Sequence, residues 1–120
     1  MSDTSDFAVT GIEAIADYHA HVYYDAASKA TAARLRDAIA ARFEVKLGRW
    51  HDEPVGPHPM GSYQVVFDPA LFATLVPWLA LNRAGLTVLV HPNTGDDLSD
   101  HRDRAIWLGE SQALDLSVLS

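Results

Sequence analysis

The 120 residues contain no cysteine. That excludes disulfides, a thiolate nucleophile and any zinc site built on sulfur. It fits a reducing cytoplasm, which is the expected location. Cations are scarce too: Lys and Arg number 9 against 16 Asp and Glu, for a formal net charge of -7. So acidic a chain lacks the cationic surface that nonspecific nucleic-acid binding needs, and it has no electrostatic reason to dock on anionic membranes. No apolar run is long enough to span a bilayer. The opening stretch MSDTSDFAVTGIEA has neither the basic nor the apolar region of a signal peptide. Nucleophile elbow, glycine-rich phosphate loop and dinucleotide fingerprint are all missing, so serine hydrolase, kinase and Rossmann chemistry have no support.

What remains is an ordinary globular composition, 48% hydrophobic and 21% charged, enough to bury one core without staples. Neither an internal repeat nor a linker divides the chain. Residues 1–15 are expected to be a loose N-terminal segment, and 16–120 a single domain.

Periodicity orders the elements. Asp17 to Tyr24 alternates, with Tyr18, Ala20, Val22 and Tyr24 on one face and His19, His21 and Tyr23 on the other. Asp25 is placed to cap an alanine-rich helix from Ala26 to Arg42, whose Ala32, Leu35 and Ile39 form a narrow apolar stripe. Phe43 to Trp50 reads as a second strand, and HDEPVGPHPMG at 51–61 as a loop. Ser62 to Phe67 is a third strand. Asp68-Pro69 starts a second helix with Leu71, Phe72, Leu75, Trp78 and Leu79 on its apolar side. Pro77 should kink that helix and Gly85 should end it. Leu86 to Val90 is a fourth strand, HPNTGDDLSDHRDR a long polar loop, and Ala105 to Leu108 a short fifth strand. The order β-α-β-β-α-β plus a short C-terminal addition predicts an α+β, ferredoxin-like sandwich: an antiparallel sheet with both helices on one face.

In that arrangement strand one is central, flanked by strands three and four. The helix-free face then holds His19, His21, Tyr23, Ser62, Gln64, Thr87, Leu89 and, by parity, His91. His91 falls near His19, so three imidazoles converge, and His58 can reach in from its loop near His21 or Tyr23. Neutral imidazole is a common ligand for Zn, Fe, Cu and Ni. On the same residues a blander reading stands: solvated histidines, or a face packed in a dimer. Tyr23 is a candidate acid or substrate contact, and Gln64 a candidate to orient a ligand. Arg102 and Arg104 are candidates to hold a substrate carboxylate by bidentate bonds. Trp50 and Trp107 are candidates to line a pocket for an aromatic ring. His51 and His101, in hydrophilic surroundings, read as surface.

Three stretches, YHAHVYYD at 18–25, GPHPMGSYQVVF at 56–67 and VLVHPNTGDDLSDHRDRAIWLG at 88–109, give a sequence that resembles the DOPA 4,5-dioxygenase family. The resemblance implies a ferredoxin-like fold and ring-opening (extradiol) oxygenation of a catechol such as DOPA by O2. It also implies nonhaem Fe(II) as cofactor, with another divalent metal as the alternative. Carried onto this chain, the motif positions are His19, His21, His58 and His91. Three would hold the metal and the fourth would act as acid/base on the catechol proton. Strand geometry clusters His19, His21 and His91 as the ligands and leaves His58 as the acid/base, with an exchange of roles between His58 and His19 as the alternative. The common iron pattern includes a carboxylate, for which Asp17 and Asp96 are the candidates. A helix-free sheet face also invites a partner, so a twofold homodimer is expected. The competing reading is a metal-free, ferredoxin-like dimeric binding module without oxygenase activity.

Overall fold

A computed structural model describes residues 7–120. Residues 1–6 of the expected N-terminal segment lie outside the described residues. The remainder of that segment is irregular apart from a 3-10 turn at Ile12–Ala14. Five strands and three helices follow: β1 (Asp17–Tyr24), α1 (Lys29–Arg42), β2 (Lys46–Leu47), β3 (Gly61–Phe67), α2 (Phe72–Asn82), β4 (Val88–Asn93), α3 (Asp97–Arg102) and β5 (Ile106–Leu108). The sheet order is β2-β3-β1-β4-β5, antiparallel at every pairing. This is the ferredoxin-like arrangement with β1 central and β5 added at one edge.

One face of the sheet makes the core. Ala20, Val22, Tyr63, Val65, Phe67, Val88 and Val90 pack with Ala32, Leu35 and Ile39 of α1 and with Leu75 and Leu79 of α2. The alternation within each strand causes this, because every second side chain points at the helices. Each fully buried aliphatic or aromatic side chain there contributes roughly 1.5–3 kcal/mol.

Several boundaries differ from the sequence reading. α1 starts at Lys29, because the Asp25 carboxylate accepts from the Ser28 amide and hydroxyl and closes a turn first. β2 is a two-residue ladder rather than Phe43–Trp50, prolonged only by a Gly48-to-Gln64 backbone bond and a His51–Ser62 bridge. As an edge strand it has one neighbour to hold it. α2 runs through Pro77, which is exposed, so the carbonyl it leaves unpaired faces water. The helix ends at Asn82 rather than at Gly85, and Ala84 (φ 54) shares the left-handed turn with Gly85 (φ 81). β4 continues through His91 to Asn93. Pro92 is tolerated there because β5 stops pairing at Val90. The polar loop after β4 is not structureless: it contains α3, whose N-terminus is capped by Asp96 accepting from the Ser99 amide.

The second face is not open either. Tyr23, Leu89 and His91 are at most 2% exposed, and His21 is 5% exposed, within a single chain. The chain covers its own face with α3, the 48–58 loop and the C-terminal segment, which is tied to the loop by the Asp115 amide bonding the Pro57 carbonyl. An uncovered face was the ground for expecting a homodimer, and that ground is removed.

Candidate metal centre

Register explains the site. His19 and His21 are two apart on β1 and share a face. His19 is the direct cross-strand partner of His91, and His21 faces Leu89 on β4 and Gln64 on β3. The result is a His21 Nε2 to His91 Nε2 distance of 3.0 Å and a ring separation of 5.1 Å between His19 and His91. His58 arrives from a tight turn closed by its own amide on the Val55 carbonyl. Gly61 permits this approach: a Cβ there would sit 3.0 Å from the Tyr24 ring and 3.1 Å from the carbonyls of Tyr24 and His51. His58 then lies 4.2 Å, ring to ring, from His21, and its Nδ1 is 2.6 Å from the Tyr23 hydroxyl.

A fifth imidazole joins them. His101, on α3, lies 4.0 Å from the His91 ring and about 6 Å from those of His21 and His58. Reading its segment as a polar loop hid it. The signal was present in Asp96-Asp97-Leu98-Ser99, a capping sequence that starts a helix and carries His101 back toward the sheet. α3 is held by Asp100, 1% exposed, which accepts from Thr94 and Arg104. His51, whose hydrophilic neighbours suggest surface, lines the same cavity.

Two groups of three bring one nitrogen from each ring within 4.8 Å of one another: His19, His21 and His91, and His21, His58 and His101. A neutral imidazole offers one lone pair, so His21 can serve only one group at a time. Backbone carbonyls fix two of the tautomers. His91 Nδ1 donates to the Pro92 carbonyl at 2.8 Å and His101 Nδ1 to the Asp97 carbonyl at 2.7 Å. Each Nε2 therefore keeps its lone pair, which is how metal-binding histidines are usually oriented. Burial lowers the pKa of His21 far below the usual histidine value, and those of His58 and His91 to about 4. Burial also lowers that of His19, against the raising influence of Asp17, whose carboxylate lies 3.2 Å from His19 Nε2. Neutral nitrogens crowded this closely fit a borderline divalent cation.

The imidazoles border a cavity of about 390 Å³, within the range of small-molecule sites. His19, His21, His58, Gln64 and His101 line it, together with Arg49 and Asp97. Tyr23 does not; it lies under His58, with its ring stacked 6.2 Å from Trp107. Arg102 and Arg104 do not line it either. The Arg102 fork is taken by Asp103, and Arg104 is held by Asp100 and Thr94. Asp96 is committed to its cap. Trp50 turns to the helix side, against Tyr24 and Tyr63.

Comparison with known proteins shows the family and the fold. Residues 18–118 match the model of the Dopa 4,5-dioxygenase family. The chain is 39% identical to a DOPA 4,5-dioxygenase of Amanita muscaria, covering 88% of this chain and 50% of that protein. It is also 39% identical to an uncharacterized 21.2 kDa protein of Botryotinia fuckeliana, covering 92% of this chain and 66% of that one. The chain thus spans half to two thirds of these relatives' length. A crystal structure from Nostoc punctiforme, described as a "putative dioxygenase", superposes with a TM-score of 0.90 at 55% identity, covering 92% of this chain and 96% of that one.

Proposed function

The chain belongs to the Dopa 4,5-dioxygenase family, and on that premise we propose that it is an extradiol dioxygenase that opens the ring of a catechol such as DOPA. Both atoms of O2 enter the ring-opened product, so the reaction needs no external reductant. The observation that carries this reading is the convergence of five imidazoles, His19, His21, His58, His91 and His101, with all of them but the buried His91 lining one cavity of ligand size. The same convergence speaks against the metal-free binding module.

In this reading His19, His21 and His91 hold Fe(II), or another divalent metal in its place. When bound, that metal supplies Lewis-acid polarisation of the diol and one-electron chemistry toward O2. His58 is the acid/base. It is neutral near pH 7, its pKa having been lowered to about 4 by burial, and a negatively charged diol beside it would raise that value back toward neutrality. With its Nδ1–H donating to the Tyr23 oxygen at 2.6 Å, its Nε2 keeps the lone pair that accepts the diol proton. Tyr23 works through His58 and is a positioning residue. Gln64, level with His21 across the strands, supplies an amide that can bond a substrate oxygen.

The test is anaerobic Fe(II) loading of the purified protein, followed by O2 uptake with DOPA and a small panel of catechols. Iron-dependent uptake with a yellow ring-opened product is the expected result. Uptake that is the same with and without bound metal, or none with any catechol, would sink the proposal.

A further inference from the structure

We propose that Arg49 determines specificity in this site by binding a carboxylate on the side chain of the substrate. The inference rests on the catechol reading above and extends it from the diol to the other end of the molecule.

The observation is one of bonding among the described residues. Six of the seven arginines are engaged by the protein itself. Arg34 donates to Thr31, Arg42 to the Ala38 carbonyl and Arg83 to the Leu86 carbonyl. Arg36 lies over the rings of Trp50 and Tyr63. Arg102 pairs with Asp103 and Arg104 with Asp100. Arg49 alone has no hydrogen bond, ion pair or aromatic partner among them, and it alone of the arginines lines the histidine cavity. It stands on the segment joining β2 to β3, beside the stretch that carries His51 and His58.

The chemistry follows from charge. A chain of net charge -7 repels an anionic substrate at long range, so such a substrate needs a local cation to bind at all. Arg49 is the one arginine or lysine on the cavity wall. Arg49 is therefore the wall's fixed positive charge, and a guanidinium fork matches a carboxylate with two parallel bonds. Asp97 is the fixed negative charge on the same wall. It would attract an amine whether or not a carboxylate is present, which makes an amine without a carboxylate a useful control.

The experiment compares the wild type with Arg49→Gln and Arg49→Lys in two ways. The first is kcat/KM of the iron-loaded protein for three catechols: 3-(3,4-dihydroxyphenyl)propionate, dopamine and 4-methylcatechol. The second is calorimetric binding of 3-(4-hydroxyphenyl)propionate and of its uncharged methyl ester to the metal-free protein. In Arg49→Gln the preference for the carboxylate over the neutral ligand should fall by about tenfold or more in both measurements, the scale of one charge-assisted pair. Arg49→Lys should recover part of it. Equal losses for charged and neutral ligands, or none for either, would overturn the assignment. A wild type that opens no catechol yet binds the carboxylate in preference to its ester, and loses that preference in Arg49→Gln, would sink the dioxygenase reading and support Arg49.

Discussion

Val22 and His21 are chain neighbours with nearly the same burial, 0% and 5% exposed, and they sit on opposite faces of one sheet. On the face of Val22 the buried residues are apolar or, like Tyr63, have their hydroxyl bonded, here to the Ala32 carbonyl at 2.9 Å; Arg36 Nη1, over the Trp50 and Tyr63 rings, is the buried polar atom left without a partner among the described residues. Burial there stabilises the fold. On the face of His21 the chain packs imidazoles against one another, and burial holds them uncharged at a desolvation cost. Equal burial thus has opposite consequences. One face is built for stability, and the other sacrifices some of it to keep nitrogen lone pairs close together. The way to test this contrast is to damage each face separately and ask which property falls.

His21→Ala should have the largest effect. His21 belongs to both groups of three nitrogens, so its loss should reduce bound metal to near zero and turnover by at least about 100-fold. The metal-free variant should unfold within a few degrees of the metal-free parent, as expected when a desolvated polar group is removed. Metal analysis, steady-state kinetics and thermal melts check this. A variant that still binds one metal per chain and turns over would remove the functional meaning of the histidine face.

Leu75→Ala is the converse test on the helix face. Leu75 is 0% exposed between α2 and the sheet, and truncation should cost roughly 2–5 kcal/mol in urea unfolding. Metal bound per folded molecule should not change. A neutral effect on stability would mean that α2 does not pack where the structure puts it.

Acid should separate the faces without mutation. His58 and His91 titrate at about 4 in the folded state and at about 6.5 when unfolded. Between those values the unfolded chain binds more protons, so stability falls as pH falls. The loss begins near pH 6.5 and continues to about pH 4, at up to about 1.4 kcal/mol per pH unit for each such histidine. Urea midpoints of the metal-free protein at pH 7, 6 and 5 should decline in that order. Flat midpoints would mean that the imidazoles are solvated rather than buried.

How much of this could be read from the chain differs between the faces for a physical reason. Strand alternation has a period of two and repeats across β1, β3 and β4, so it determined both the core set and the convergence of His19, His21 and His91. His58 could be placed near Tyr23 because a proline-rich turn leads directly into β3. His101 could not, because its position depends on α3, a six-residue helix docked by a buried Asp100 network whose partners are local in sequence but polar, and so look like surface. Arg102 and Arg104 stand out in the sequence as cations, but the structure pairs them with Asp103 and Asp100, whereas Arg49, which lines the cavity, lies in a loop that gives no periodic signal.

Tyr23→Phe should give the smallest of these effects, and it bears on how the two functions share one strand. Tyr23 is 2% exposed and its hydroxyl meets only His58 among the described residues. Burial also raises its own pKa well above the ordinary tyrosine value, so near neutral pH it stays a neutral phenol. Removing the oxygen keeps the ring and its stacking on Trp107 but leaves His58 Nδ1 without a partner in a buried place. The stability cost should be about 1–2 kcal/mol. If Tyr23 only fills space, kcat and KM should both stay near their parental values once the protein is folded. If it positions His58, kcat should fall by about tenfold with KM nearly constant, because the ring that accepts the diol proton would be held in the wrong orientation. The pH dependence of kcat should shift as well, since His58 loses its hydrogen bond at Nδ1. A drop confined to stability, with kinetics and pH profile intact, would return Tyr23 to the apolar logic of the opposite face.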